Sequence, residues 1–278
     1  MPLSEAPLNL GRWLLEPEMF SDVAVKCGAS TWKLHKSHLC SKSHWFRTAL
    51  TGGFKEAQTS VITIDESDPE LLFVAITWMY TGELDSEVFE NGDEAFAALL
   101  KLYETADFFL IPELRDSAIT RTKMLLRERA IAIQNRFCTI IGSGFHFLAV
   151  GGEDTTGLLE GVRLAYESEI EALGVLWVQF VKATMFWVLT NDDFFALCTE
   201  IPRFGLKVLV ALRDTNLTRG GLLHNASHDH FGCIDCHSDP FRRSGGHYVS
   251  LSYRQEGSAI IPLGGHCNHC RDDCELFE

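Results

Sequence analysis

A change in hydrophobic periodicity between residues 21 and 50 most constrains what this chain can fold into. Apolar residues alternate in "SDVAVKC" (21–27) and again in "TWKLH" (31–35), with the turn "GAS" between them, which predicts a β-hairpin. Leu39, Ser43, Phe46 and Leu50 then follow at helical spacing, so one helix is expected across them. It ends at Gly52-Gly53, as glycine commonly ends helices.

Further elements follow in the same mixed pattern. "VITIDES" (61–67) is typical of a third strand. Asp68-Pro69 starts a helix, with aspartate as the N-cap and proline in the first turn, and Gly82 ends it. "DEAFAALLKLYETADFFLI" (93–111) has one apolar side at helical spacing. Pro112 interrupts that helix, and another follows it. The expected fold class is therefore α+β.

At this point the residues resemble a known family, the BTB/POZ domain. The resemblance covers residues 20–130, and the "GGFKEA" form is similar to fungal members. It implies a BTB/POZ fold, with a small sheet and α-helical hairpins, that serves as a protein–protein interaction module, often as a homodimer and without an active site. The matching landmarks are Phe20-Ser21-Asp22-Val23, Leu34-His35-Lys36, Ser43 to Phe46, Gly52-Gly53-Phe54-Lys55-Glu56, Tyr80-Thr81-Gly82, Ala106-Asp107 and Ile111-Pro112-Glu113-Leu114.

The resemblance also implies candidate partner-binding residues. Some family members are substrate adaptors of cullin-RING ubiquitin ligases and carry a hydrophobic residue, any residue and Glu after the second core helix. Phe54-Lys55-Glu56 stands at the matching place. Phe54 could fill an apolar pocket of a cullin while Glu56 pairs with a basic residue. In the alternative interpretation, Phe54 only caps the preceding helix and Glu56 is solvated.

Two polar residues near the hairpin are expected to serve the fold rather than chemistry. His35 invites a metal-site interpretation, but it falls where the resembling family places a buried structural histidine. Asp22 matches the acidic position that lines a charged pocket in some dimeric members. We expect Asp22 to be a buried, hydrogen-bonded turn residue rather than a catalytic acid.

The rest of the chain is not similar to any family that we can identify. Residues 1–19 form an N-terminal segment before the 20–130 domain. The Gly-rich stretch around residue 142 indicates a linker over 131–157, and apolar residues at helical spacing predict a helical region over 158–215. Residues 219–278 form a tail that is rich in Cys, His, Gly and Ser.

Two C-x-x-C pairs in this tail predict a structural zinc site. The pairs are Cys233/Cys236 and Cys267/Cys270, and four thiolates give the tetrahedral coordination that structural Zn²⁺ prefers. In a loop-rich segment, the metal would replace a missing core. C-x-x-C-H at Cys233 also fits c-type haem attachment or a redox dithiol, but the chain lacks the exported context or the thioredoxin-like surroundings that these need. A metal-free tail of incidental cysteines is the remaining alternative.

Charge and composition exclude several function classes. The formal net charge is −14, and residues 219–278 hold five arginines against eight acidic residues, so no nucleic-acid footprint is expected. No signal peptide or membrane span is visible, which predicts a cytoplasmic or nuclear protein with reduced thiols. We expect a protein that is not an enzyme. The alternative to a ubiquitin-ligase adaptor is a transcriptional or chromatin regulator with a zinc-stabilised C-terminal region.

Overall fold

The structure, a computed structural model, divides into two compact units, residues 1–121 and 122–278. No helix in the described part of the chain is long and apolar enough to cross a bilayer. The described residues are 10–15, 20–65, 67–84, 89, 94–142, 151–155, 157–184, 186–214, 251–256 and 259–265.

The first unit contains a three-stranded sheet with the order β2-β1-β3. The strands are β1 (Val23–Cys27), β2 (Ser30–Leu34) and β3 (Val61–Ile64). β1 and β2 form the predicted antiparallel hairpin, and β3 runs parallel to β1. Every second residue of β1 is buried, because alternate side chains of a strand share a face. One face of the sheet therefore contributes to the core of this unit.

Seven helices of the described residues lie in this unit or begin in it, and the predicted α+β class is confirmed here. Asp68 Oδ1 accepts a hydrogen bond from the Glu70 N–H at 2.8 Å, and Gly82 ends the same helix with a left-handed φ of 74°, as expected. The helices are α1 (Leu10–Leu15), α2 (Lys36–Lys42), α3 (His44–Thr51), α4 (Lys55–Thr59), α5 (Pro69–Thr81), α6 (Ala95–Phe108) and α7 (Pro112–Gly142).

The prediction of a single helix through Leu39 and Leu50 is wrong, because Ser43 divides this stretch into two helices. Ser43 has extended dihedrals (φ −123°, ψ 122°) and lies between α2 and α3. Its side chain accepts a hydrogen bond from the Phe46 N–H, the usual task of a serine N-cap. Apolar spacing was preserved across the break, so periodicity alone did not reveal it.

The second unit is mainly helical in its described part. A 3-10 turn at Trp187–Thr190 precedes two helices that approach so closely that a Cβ on Gly205 would collide with the Cys198 carbonyl. An antiparallel hairpin follows later in the chain, formed by β4 (Leu251–Glu256) and β5 (Ala259–Gly265). The helices are α8 (Gly152–Thr155), α9 (Leu158–Glu167), α10 (Glu171–Ala183), α11 (Asp192–Glu200) and α12 (Pro202–Asp214).

The start of the expected linker lies inside a helix. The linker predicted over 131–157 overlaps α7, which continues without interruption to Gly142. The two compact units divide within this helix, at 121/122. A helical segment that enters both units leaves no change in composition at the point of division.

Candidate functional site

Phe54 lies at a tight corner between α3 and α4 and is largely exposed. Its backbone is extended (φ −83°, ψ 161°), and 54% of its surface is accessible. A Cβ on Gly52 would lie 2.6 Å from the Thr48 carbonyl oxygen and 2.9 Å from the Phe54 ring, so only glycine fits there. The ring therefore rests on the end of α3, and its remaining surface faces solvent.

Glu56 is held in the first turn of the short helix that Phe54 begins. It is half-buried, and its carbonyl accepts a hydrogen bond from the Ser60 N–H at 2.9 Å. Ser60 has a left-handed φ of 56°, and its hydroxyl accepts a hydrogen bond from Lys36 Nζ at 2.6 Å. The structure thus places Phe54 and Glu56 together on a corner that is tied at its far end to α2.

The opposite end of α3 is anchored in the core by Ser43 and two phenylalanines. Ser43 Oγ donates a hydrogen bond to the Phe109 carbonyl at 2.5 Å and accepts one from the Phe46 N–H at 3.0 Å. The Phe46 and Phe109 rings stack with their centroids 5.4 Å apart, and both side chains are fully buried. These contacts fix the helix that presents Phe54.

A histidine–tyrosine cluster occupies the position where the resemblance implied a structural histidine. His35 is buried, and its N–H donates to the Tyr80 hydroxyl at 2.7 Å while its Nδ1 lies 2.8 Å from the same oxygen. Burial raises the pKa of Tyr80 to about 12. His38 stacks on Tyr80 with the ring centroids 4.6 Å apart. Burial is the main cause that lowers the pKa of His38, and the nearby His35 lowers it further.

Asp22 differs from its prediction in one respect. Its carboxylate accepts a hydrogen bond from the Lys36 N–H at 2.7 Å, as expected for a turn residue. However, Asp22 is exposed rather than buried. A short hydrogen bond to the main chain does not require burial, and the sequence carries no separate signal for exposure.

A groove of about 700 Å³ lies beside the start of α3 and was not predicted from the sequence. Trp45 and Phe108 form its aromatic wall, with their ring centroids 6.1 Å apart. The other lining residues come from the end of β3, the connection to α5, α5 itself and one face of α6: Thr63, Ile64, Asp65, Ser67, Asp68, Leu71, Lys101, Glu104 and Thr105. The sequence carried one signal for the groove, the apolar run Phe108-Phe109-Leu110. Of these three side chains only Phe109 is buried, so the run leaves two large apolar side chains exposed.

The predicted zinc ligands lie outside the described residues. These are Cys233, Cys236, Cys267 and Cys270. Within the described ranges, no group of three or more His, Cys, Asp or Glu side chains could hold a metal ion. The nearest described feature in sequence is the β4–β5 hairpin, in which Leu251 pairs with Gly265, two residues before Cys267.

Comparison with known proteins identifies the first unit. A protein-family model described as "BTB/POZ domain" matches residues 13–123. Trishanku of Dictyostelium discoideum is 33% identical over 70 residues, which is 25% of this chain and 10% of Trishanku. The human Kelch repeat and BTB domain-containing protein 4 is 26% identical over 100 residues, covering 36% of this chain and 17% of the relative.

Other matches are similarly partial. The BTB/POZ and MATH domain-containing protein 3 of Arabidopsis thaliana is 24% identical over 159 residues, covering 54% of this chain and 39% of that protein. Among solved structures, the BTB domain of zebrafish PATZ1 is 17% identical with a TM-score of 0.33, covering 42% of this chain and 87% of that chain. The chain thus spans between 10% and 39% of the length of these three curated relatives.

Proposed function

We propose that the BTB/POZ domain that this chain contains at residues 13–123 recruits a cullin through the corner formed by Phe54 and Glu56. A BTB/POZ domain is a protein-interaction fold and is generally not an enzyme. In this proposal the chain is a substrate adaptor of a cullin-RING ubiquitin ligase, and the second unit captures the substrate. The observation that carries the proposal is the exposed but positioned ring of Phe54.

The geometry of the corner suits an anchor residue. Burying a phenylalanine side chain stabilises an interface by about 1.5–3 kcal/mol. Because the ring already rests on Gly52, little side-chain freedom is lost on binding. Glu56 lies two residues further on at the start of α4, where a basic partner residue could pair with it. Such a pairing would contribute more to orientation and association rate than to affinity.

A second surface supports homodimer formation. α1 packs against α5, and Trp13 on α1 and Phe73 on α5 remain 42% and 43% exposed. Phe73 stacks on Trp32 of β2 at 6.0 Å. Aromatic side chains that remain exposed next to packed elements are typical of interface cores, so we propose a second copy as their partner. Light scattering of Trp13→Glu/Phe73→Glu should give half the wild-type mass, and an unchanged mass would contradict this part of the proposal.

The cullin proposal is tested by measuring binding of the full chain to the purified N-terminal domain of the cullin. Phe54→Ala should weaken binding at least about tenfold, the loss expected for a central aromatic anchor. Glu56→Gln should weaken it by about threefold. Phe195→Ala is the matched control, because Phe195 has a similar exposure of 56% and lies in the second unit.

Thermal unfolding of each variant should match the wild type, since neither phenylalanine belongs to the buried core. Failure of the wild-type chain to bind the cullin domain would overturn the proposal. Equal losses for Phe54→Ala and Phe195→Ala would overturn the role of the corner.

A further inference from the structure

We propose that the groove between α3, the β3–α5 connection and α6 binds an arginine or lysine side chain of the protein that engages Phe54. This inference rests on the proposed function and adds a second contact to it. The groove has an aromatic wall and an acidic rim, and its place relative to Phe54 follows from the geometry of α3.

The groove and Phe54 lie at the two ends of one face of α3. Trp45 lines the groove, and the Phe54 ring lies against Gly52. Positions 45 and 52 are seven residues apart, close to two helical turns, so they share a face about 10 Å apart along the axis. Thr48 and Ala49 lie between them on this face, and Thr48 is exposed. A partner that lies along α3 would therefore contact both ends.

The aromatic wall is pre-oriented. Trp45 is half-buried and makes edge contacts with Phe46 at 5.0 Å and with Phe109 at 5.2 Å, two side chains that are themselves fully buried. Phe108 lies across from Trp45 at a tilt of 38° and is 60% exposed. A cation near the face of such rings is attracted by their quadrupoles. Guanidinium groups also stack on aromatic faces.

The charge of the rim selects the same chemistry. Asp65, Asp68 and Glu104 line the groove together with one cationic residue, Lys101. Asp68 is fixed by its cap bond to the first turn of α5. Asp65 and Glu104 are exposed and line the groove from the β3–α5 connection and from α6. The surplus of carboxylates favours a positively charged partner group and disfavours an acidic one.

The first experiment measures binding of the full chain to the cullin N-terminal domain after removing the charge of the rim. Asp65→Asn/Glu104→Gln should bind about tenfold more weakly than the wild type at low salt, with the difference narrowing as salt rises. Asp68 is kept because it caps α5. Glu128→Gln/Glu171→Gln is the matched control, since both glutamates are exposed helical residues of the second unit and should leave binding unchanged.

The second experiment does not depend on the cullin. The peptides Ac-Ala-Arg-Leu-Arg-Ala-NH2 and Ac-Ala-Gln-Leu-Gln-Ala-NH2 are titrated into the ¹⁵N-labelled full chain, and the Trp45 indole signal is assigned with Trp45→Phe. We expect the arginine peptide to shift this signal at millimolar concentration. The glutamine peptide should not shift it, and Asp65→Asn/Glu104→Gln should abolish the response.

The two experiments separate the inference from the proposed function. If the cullin domain does not bind but the arginine peptide selectively shifts Trp45, the cullin proposal is overturned and the cation-binding groove stands. If Phe54→Ala abolishes cullin binding while the rim variant binds normally and both peptides act alike, the groove proposal is overturned and the adaptor proposal stands.

Discussion

The two compact units expose different kinds of apolar side chain. Among the described residues, five of the six large hydrophobic side chains exposed in residues 1–121 are aromatic, and only one of the six exposed in residues 122–278 is. The aromatic ones of the first unit are Trp13, Phe20, Phe54, Phe73 and Phe108, whereas the second unit exposes Leu206, Leu209 and Val210 on α12.

This difference separates two uses of a surface. Tryptophan and tyrosine are enriched among hot spots, and phenylalanine joins them in interface cores, because large rings bury much area at a low cost in conformational entropy. Leucines at i and i+3, followed by valine at i+4, form the plain apolar stripe of an amphipathic helix. The first unit thus exposes the residue types that specific interfaces favour, whereas α12 of the second unit exposes aliphatic side chains.

The largest expected difference between the units concerns metal. We propose that one Zn²⁺ is bound by Cys233, Cys236, Cys267 and Cys270. Its effect should be the largest, because structural zinc sites contribute about 10–16 kcal/mol of apparent binding free energy. The pairing of Leu251 with Gly265 supports this, because it closes residues 251–265 into a hairpin and so shortens the chain path between the two cysteine pairs. Elemental analysis should find about one zinc per chain, and Cys236→Ser/Cys270→Ser should lose it.

Cys40→Ser/Cys198→Ser is the matched control, since both cysteines are half-buried and lie outside the tail. It should retain the metal. Zinc that persists in Cys236→Ser/Cys270→Ser, or its absence from the wild type, would contradict the site and remove this contrast between the units.

A second prediction tests whether the units unfold separately. Phe46 in the first unit and Phe180 in the second are both fully buried, and truncating either to alanine should cost about 3–5 kcal/mol. Scanning calorimetry should show two unfolding transitions. Phe46→Ala should lower the midpoint temperature of one, and Phe180→Ala should lower that of the other. If each substitution shifts both transitions equally, the two units fold as one body and the comparison loses its basis.

Local signals in the sequence predicted much of the first unit. The alternation of Val23, Val25 and Cys27 gave the buried face of β1, and Asp68 and Gly82 marked the ends of α5. These features depend on neighbours within a few residues. The groove does not, because Trp45 and Phe108 come from distant parts of the chain and meet only in the folded domain.

The resemblance and the physics contributed differently to the candidate site. The resemblance placed Phe54 at a partner-binding position, but only the structure shows that its ring rests on Gly52 and is still 54% exposed. The break at Ser43 had a visible signal, a serine three residues before Phe46. The intact apolar spacing on either side outweighed it, because a cap residue can occupy a position on the buried face.

A third prediction sharpens the role of polar anchors in the first unit. Ser43→Ala removes a cap and leaves the buried Phe109 carbonyl without its 2.5 Å hydrogen bond, so it should destabilise this unit by about 1–3 kcal/mol. Ser41→Ala is the control, because the Ser41 hydroxyl only bonds an exposed carbonyl of its own helix. Chemical denaturation followed by tryptophan fluorescence measures both. Equal stability of the two variants would show that packing of Phe46 alone positions α3.

The smallest expected effect is a loss of stability in mild acid, and it should occur in the first unit. Burial and the neighbouring His35 lower the pKa of His38 below its usual 6.5, so the folded state favours the neutral ring. As pH falls through 6.5, the unfolded chain takes up a proton first, and stability is lost. Between pH 7 and pH 5 the midpoint temperature of the first unit's unfolding should fall. His38→Phe should reduce that fall while keeping a ring against Tyr80. An identical fall in His38→Phe would assign the acid response to other groups. An identical fall in the second unit would mean that the cluster around Tyr80 does not make the first unit more sensitive to acid than the second.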